Sequence, residues 1–386
     1  MSKIKVLHVT THDEECGIAK YQEQYIQGMK SVENVENVIF PYSPNKMKNM
    51  TAQEFAPVLK EFSEQLKSFD MLHIQHEFSF YKHDELSSFI TEAHRQHKKT
   101  LMTIHTSPEA GFPKTAVSAG GFGPRSILHR LRAKRAKKHF DRVHLKAMRM
   151  VNQVIVHNTV TLKALVKYGV QEDRIIRITM PVPELSFDLK TTEIKDNLNQ
   201  KDGDIIYCTV GFLSKNKGIT HAINALEFLP SNYKLAIIGG AHPSGENAKF
   251  YDDVCDLIIK RGLKERVYIA GYVEQDEKLN ALIRECDICV YPYDRVYYGG
   301  VTSAALNNAI ANYKPAIAYP TDSIMEMNQQ QPVVQLTDSF NYYELAREII
   351  RIDRGKQEEL SKKYAAKFGY ATEAPKFGDI YRQLLK

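Results

Sequence analysis

The chain has 386 residues, a formal net charge of +6, and 43% apolar and 25% charged residues. That length exceeds one ordinary core and calls for two domains, and the composition is that of a globular protein rather than a disordered or fibrous one. No apolar run approaches the ~20 residues that cross a bilayer, which excludes a transmembrane helix.

The first residues, MSKIKVLHVT, read as a strand and not as a signal peptide, because the apolar core is short and acids follow it. A polar loop containing His12 leads through Cys16 and Gly17 into a helical pattern, AKYQEQYIQGMK. VENVIFPY is a strand, EFAPVLKEFSEQLKSF a helix, MLHIQHE a strand, SSFITEAHRQH a helix and TLMTIHT a strand. Then comes a basic segment, residues 125–149, described below. MVNQVIVHN, the helix TVTLKALVKYG and the strand RIIRITMP complete the first half. Strands alternating with helices at this spacing predict a parallel sheet with helices on both faces.

Residues 181–204 are polar and weakly periodic, and read as a hinge. The second half repeats the rhythm. IIYCTVG is followed by the helix ITHAINALEFL, YKLAIIGG by KFYDDVCDLIIKRG, and RVYIAGYV by EKLNALIREC. DICVYPY leads to TSAALNNAIANY, and KPAIAYP and PVVQL follow. The predicted fold class is α/β, with two Rossmann-like domains and a cleft between them. The first takes in residues 1–185, with about 372–386 returning to it as a C-terminal helix; the second takes in residues 203–371.

Five cysteines are scattered along the chain, an odd number that suits a reducing cytosol. Cys286 and Cys289 form a C-x-x-C within the strand CDICVYPY. With no second pair or histidines at ligand spacing, small core hydrophobes are a better reading than zinc. In residues 125–149, Arg130, Arg132, Lys134, Arg135, Lys137, Lys138 and four further bases face one acid, Asp141. Ile127, Leu128, Leu131, Phe140, Val143, Leu145 and Met148 are interleaved with them. Two readings stand side by side: a basic amphipathic helix on an anionic membrane surface, or a solvated helix face whose apolar stripe packs inward. Nucleic acid is disfavoured, since no stacking aromatics lie among the bases.

The strongest chemical signal is DIIYCTVGFLSKNKG, residues 204–218. An apolar strand ends at Gly211, two lysines follow in a polar loop, and a helical pattern opens after Gly218. Backbone N–H groups and the helix dipole at such a junction attract an anion, and a lysine neutralises it. The loop is neither G-x-x-x-x-G-K-[ST] nor G-x-G-x-x-G. Ligands of open α/β sheets bind outside the carboxyl ends of strands. The polar residues found there are His12 and Gly17; His76 and Glu77; His105; Phe212, Lys215 and Lys217; Gly240; Tyr272; and residues 294–303. Glu77 reads equally as a ligand group or as a cap.

Taken in order, CGIAKY (residues 16–21), HIQHE (73–77), TIHT (103–106), VGFLSKNKG (210–218), AIIGG (236–240), AGYV (270–273), CDICVYPY (286–293) and NAIANYKPAIA (308–318) resemble the landmarks of the family-4 glycosyltransferases of the GT-B fold. The resemblance covers nearly the whole chain. It implies a retaining, metal-independent transfer of a sugar from a nucleoside diphosphate sugar, with UDP or GDP as carrier, to an acceptor hydroxyl. No cofactor is implied beyond the donor, and no metal. The acceptor would be a glycan, a lipid-linked molecule or a protein, in bacterial-type glycan, polysaccharide or glycoconjugate synthesis. The enzyme would be cytoplasmic and peripheral on the membrane's inner face. Residue by residue, it assigns His105 and Lys217 to catalysis. Donor or phosphate binding would fall to Gly211, Phe212, Lys215, Lys217, Gly240, Tyr272, Gly300, Val301, Thr302, Ser303 and Asn308. The acceptor side would hold Gly17, His12, His76 and Glu77.

The chain departs from the family in three places. Phe212 stands where the family has Arg, and the two carboxylates of the family's E-x7-E fall on Gly300 and Asn308. Asn308 can hydrogen-bond a ribose, though more weakly than a carboxylate. These losses keep a second expectation open, a nucleotide-sugar-binding protein or a non-catalytic subunit of a transferase complex.

Overall fold

The computed structural model describes residues 3–12, 16–111, 124–241 and 248–386. The chain divides into two compact units. The first is Met1–Met180 with Gly300–Thr302 and Tyr370–Lys386; the second is Pro181–Gly299 with Ser303–Gly369.

In the first unit, β1 (Ile4–Thr10), β2 (Val35–Pro41), β3 (Met71–His76), β4 (Lys99–Ile104), β5 (Gln153–Val156) and β6 (Ile175–Arg177) form one sheet in the order β2-β1-β3-β4-β5-β6, every pair parallel. Its helices are α1 (Gly17–Met29), α2 (Ala52–Leu66), α3 (Glu85–Arg95), α4 (Pro124–Phe140) and α5 (Thr159–Lys167). Strand residues alternate between two buried faces, as a parallel sheet covered on both sides requires. Leu7, Val9, Leu72, Ile74, Met102 and Ile104 pack on one face. Val6, Met71, Leu101 and Ile155 pack on the other, against Tyr25, Phe377 and Tyr381.

Local signals set the boundaries. Helix α2 starts two residues before the apolar pattern, because Thr51 and Glu54 close a capping box: the Thr51 hydroxyl accepts from Glu54 N, and the Glu54 carboxylate accepts from Thr51 N at 2.8 Å. The basic segment is not one regular helix. Helix α4 runs into a π-helical turn, Asp141–Leu145, and then into Lys146–Met150. Phe140, Val143, Leu145 and Met148 are buried in the core, whereas Ile127, Leu128 and Leu131 are 59%, 50% and 52% exposed. The segment thus has an inward apolar stripe at its C-terminal end and an open apolar trio among bases nearer its start.

In the second unit, β7 (Ile205–Val210), β8 (Tyr233–Ile238), β9 (Val267–Ile269), β10 (Ile288–Tyr291), β11 (Ala316–Ala318) and β12 (Gln335–Leu336) form a second parallel sheet, in the order β12-β11-β10-β7-β8-β9. It carries α6 (Ile219–Ala225), α7 (Ala248–Lys260), α8 (Asp276–Glu285), α9 (Ala304–Ala311), α10 (Asp322–Gln330), α11 (Tyr342–Arg351) and α12 (Arg354–Phe368). Residues 181–204, expected as a hinge, are built into this unit. Val182 bridges Gly369, and the Glu285 carboxylate accepts from the backbone N–H groups of Ile194 and Lys195. The buried thiols of Cys208 and Cys289 lie 3.5 Å apart on neighbouring strands. The last helix, α13 (Tyr370–Leu384), belongs to the first unit, where Tyr370, Phe377 and Tyr381 are buried and the Tyr381 and Tyr25 hydroxyls meet at 2.5 Å.

Candidate functional site

The second unit holds a strand–loop–helix junction whose Lys217 is unpaired among the described residues. Gly211 follows β7 at φ 107°, a left-handed conformation that only glycine adopts without strain. A side chain there would also collide with the Lys217 ammonium, which lies over this glycine. Lys217 closes the short turn Lys215–Lys217, after which Gly218, also left-handed at φ 63°, starts α6. The junction is pinned to its neighbours by Gly211 N donating to Ile238 O and Leu213 N donating to Gly240 O, both at 2.9 Å. No carboxylate pairs with the Lys217 ammonium among the described residues, and burial lowers its pKa from 10.5 to about 8. A partly buried ammonium without a counter-ion, beside a glycine backbone, is short of an anion.

Around this junction, Phe212 and Tyr272 stack face to face, with centroids 5.4 Å apart and planes 9° apart. Lys215 is exposed and Gly240 is buried. Ser303 caps α9, its hydroxyl accepting from Leu306 N at 3.1 Å and meeting the Tyr293 hydroxyl at 2.7 Å. That hydroxyl is thus engaged in local structure. Asn308 is half-buried on α9. Gly300, Val301 and Thr302 group with the first unit. The Gly300 carbonyl accepts from Asn158 Nδ2 at 3.2 Å and from Thr161 Oγ1 at 3.0 Å.

In the first unit, His105 follows β4 and is half-buried. Its Nε2 lies 2.8 Å from Gln75 Oε1, and its ring contacts those of Tyr21 and His157, with centroids at 4.6 and 5.4 Å. Burial, reinforced by His157, holds its pKa well below 6.5. A neutral imidazole that donates from Nε2 keeps Nδ1 as an acceptor, suited to a hydroxyl. Glu77 is a loop brace rather than a helix cap. Its carboxylate accepts from Thr106 Oγ1 at 2.5 Å and from Phe78 N at 2.9 Å, and burial raises its pKa. Gly17 opens α1 with free space where a side chain would sit, and His12 is half-buried.

One expectation needs correction. His76, placed on the acceptor side for its position at a strand end, is fully buried. Its Nε2 faces His144 Nδ1 at 3.2 Å, its ring stacks on Tyr81, and burial holds its pKa well below 6.5. Strand alternation explains this: His76 shares a face with Leu72 and Ile74, the face covered by the larger core cluster. His73, on the opposite face, is equally buried, between Tyr381 Oη and Thr103 Oγ1, each at 2.8 Å. The sequence reading missed Asn158 and Thr161. The signal was present, because Asn before a helical run is a cap signature, but a cap whose remaining donors hold a strip from far along the chain is invisible locally. Among the described residues, no group of three or more His, Cys, Asp or Glu side chains is arranged to hold a metal ion.

The family described as glycosyl transferases group 1 matches residues 190–371. Three solved structures share the fold over the whole chain. HepE from Anabaena, in complex with UDP, is 15% identical, with 98% of this chain and 100% of that chain covered and a TM-score of 0.68. Sucrose-phosphate synthase from Thermosynechococcus elongatus is 16% identical, with 99% of each chain covered and a TM-score of 0.67. A glycosyltransferase from Rickettsia africae is 15% identical, with 100% of each chain covered and a TM-score of 0.71. No curated protein sequence matches the chain. The fold is GT-B, two parallel six-stranded sheets with flanking helices. The matched residues fall almost wholly in the second unit, so the similarity to group 1 glycosyl transferases is carried by that unit.

Proposed function

We propose that the protein moves a hexose-type sugar from a nucleoside diphosphate sugar to an acceptor hydroxyl, with retention and without a metal ion, as a family-4 member. The observation that carries this reading is Lys217, unpaired and partly buried over Gly211 at the end of β7. Charge develops on the leaving diphosphate during glycosyl transfer. A pre-placed ammonium and backbone N–H groups stabilise it there at little reorganisation cost, which is usually the largest contribution in such chemistry. The neutral His105 offers Nδ1 to a hydroxyl of the transferred sugar. HepE's complexes with UDP and with UDP-glucose support starting with a uridine nucleotide, with GDP- and ADP-sugars as the competing donors.

The deciding experiment is a panel of UDP-, GDP- and ADP-sugars, run with a chelator present and read both as hydrolysis or transfer and as a rise in melting temperature. Turnover of one donor supports the reading. A melting shift without turnover supports the second reading, a nucleotide-sugar-binding protein or partner subunit, which the replacement of both motif carboxylates by Gly300 and Asn308 favours.

The acceptor belongs at an anionic membrane surface in this reading, in glycan or glycoconjugate synthesis. Ile127, Leu128 and Leu131 stand out from α4 amid the exposed bases Arg130, Arg132, Lys134, Arg135, Lys137 and Lys138. Exposed aliphatics ringed by cations suit insertion between anionic headgroups, each cation adding about 1 kcal/mol near such a surface. No helix among the described residues is long and apolar enough to cross a membrane.

A further inference from the structure

β3, β4 and β5 run side by side in the first unit, with Gln75 opposite Thr103 and Thr103 opposite Ile155. Alternation carried two residues on puts His105 and His157 on the face that Gln75 occupies, at the carboxyl ends of the strands. Tyr21, on α1, meets them there, its ring edge-on to that of His105 with centroids 4.6 Å apart. Gln75 is fully buried, and Tyr21 and His157 nearly so, while His105 keeps part of its ring open. Among the described residues, the His105 ring makes one hydrogen bond, between Nε2 and Gln75 Oε1 at 2.8 Å. A carbonyl oxygen only accepts, so this bond requires the imidazole proton on Nε2 and leaves the lone pair on Nδ1. The amide nitrogen of Gln75 has no hydrogen-bond partner. An idle buried NH2 is costly, and packing alone would be served better by an apolar side chain of the same volume. What this glutamine does with its polarity, among the described residues, is hold the proton of His105.

No group facing the ring favours its charged form. His157 donates from Nδ1 to Ile178 O at 3.0 Å, and burial holds its pKa at about 4. Burial keeps the Tyr21 hydroxyl protonated. His73 and His76, on β3, are buried and held well below 6.5. None of these is a carboxylate, and Gln75 is neutral. We propose that Gln75 is a positioning residue for His105: its carbonyl oxygen holds the imidazole proton on Nε2, its amide brings no charge, and Nδ1 is thereby presented as an acceptor to a sugar hydroxyl. The direction matters, because the other tautomer or the imidazolium would offer an N–H instead and demand a lone pair from that hydroxyl. The geometry lies wholly in the first unit; only the identity of the hydroxyl rests on the glycosyl-transfer reading above.

Nuclear magnetic resonance reads the proton directly. Long-range proton–nitrogen correlation spectra of protein labelled at its histidine nitrogens, with His105→Ala identifying the signal, should show His105 neutral and protonated on Nε2 at pH 7. Gln75→Met keeps the volume and removes the amide, so both tautomers should appear while the melting temperature holds. With whichever nucleotide sugar the wild type turns over fastest, that variant should lose about tenfold in kcat with KM little changed, the scale of one lost oriented hydrogen bond. Gln75→Glu still accepts from Nε2 but adds a negative charge, so its His105 takes up a second proton at higher pH than the wild type. Turnover of Gln75→Glu should therefore be depressed at pH 6 and recover as pH rises, a profile that lost packing does not produce. A wild-type ring protonated on Nδ1, which a turned Gln75 amide would impose, or a tautomer unchanged in Gln75→Met, would overturn the positioning role whether or not the protein is active. A wild type that turns over no nucleotide sugar, yet whose His105 tautomer responds to Gln75→Met, would uphold the role of Gln75 and overturn the transfer reading.

Discussion

Replacing Lys217 with methionine should move stability and donor binding in opposite directions. In the folded chain Lys217 titrates near 8 rather than 10.5, because burial disfavours its charged form and no carboxylate offsets this. That displacement corresponds to at most ~3 kcal/mol of penalty at pH 7, where the lysine is charged in both folded and unfolded chains. Between about pH 8 and 10.5 the unfolded chain holds the extra proton, so stability rises with pH and the penalty fades. Lys217→Met keeps most of the volume and removes the charge. At pH 7 the unliganded variant should therefore melt a few degrees higher than the wild type. The same variant should bind a nucleotide sugar about a hundredfold more weakly, since one cation facing a diphosphate is worth a few kcal/mol. Wild-type donor affinity should be flat below pH 8 and fall above it, because a nucleotide sugar's phosphates do not titrate there and the bound state needs the ammonium. Differential scanning fluorimetry and titration calorimetry at pH 7, 8 and 9 read all three. A variant that melts no higher and binds donor normally would refute both the burial argument and the phosphate assignment.

His105→Ala should lower turnover more than donor affinity; lost nucleotide binding with normal turnover of bound donor would show that His105 has another role. Replacing Arg132, Lys134, Arg135, Lys137 and Lys138 with glutamine should abolish co-sedimentation with anionic liposomes and spare activity on a water-soluble acceptor. A wild type that fails to sediment at low salt would make α4 a solvated face. Acid should unfold the first unit early. Burial lowers the pKa of His8 and His157 to about 4 and of His144 to about 3, so the unfolded chain takes up protons first and stability falls as pH drops below 6.5. The loss is about 2 kcal/mol per group by pH 5; a urea midpoint unchanged between pH 7 and 5 would contradict it.

The two sheets were legible because parallel strands buried on both faces leave continuous apolar runs, as in MLHI and LAII, with helical periodicity between them. The strand–glycine–lysine–helix junction was legible for the same local reason: its parts fall within residues 204–218. Burial at strand ends was not. His76 and His105 end neighbouring strands in similar sequence contexts, HIQHE and TIHT, yet one is sealed beneath Tyr81 and His144 while the other keeps part of its ring open. What separates them is the face: His76 pairs with Ile104, so His105, one residue on, turns to the other side of the sheet, and the cover over His76 comes from Tyr81 and His144, which neither strand's own sequence reveals. The Asn158 contacts to residues 300 and 302 are of the same kind, bonds between segments far apart in sequence whose geometry exists only after folding.

The departures from the family also fit together electrostatically. Where the family it resembles has arginine this chain has Phe212, one cation fewer in the loop, which weakens the proposed hold on a diphosphate. Gly300 and Asn308, where the family it resembles has carboxylates, bring no negative charge. Burial then acts on Lys217 uncompensated, which is why its pKa sits near 8 instead of being returned towards 10.5 by a counter-ion. A lysine already satisfied by a protein carboxylate would have to exchange one anion for another on binding a donor, with little net gain. Lys217 has no such partner among the described residues, so the Coulombic gain on meeting a diphosphate is not offset by breaking an ion pair. In the proposed reading, Lys217, unpaired among the described residues, meets the diphosphate alone. The stacked Phe212 and Tyr272 rings beside it keep the junction less polar than an arginine would, which strengthens that single interaction.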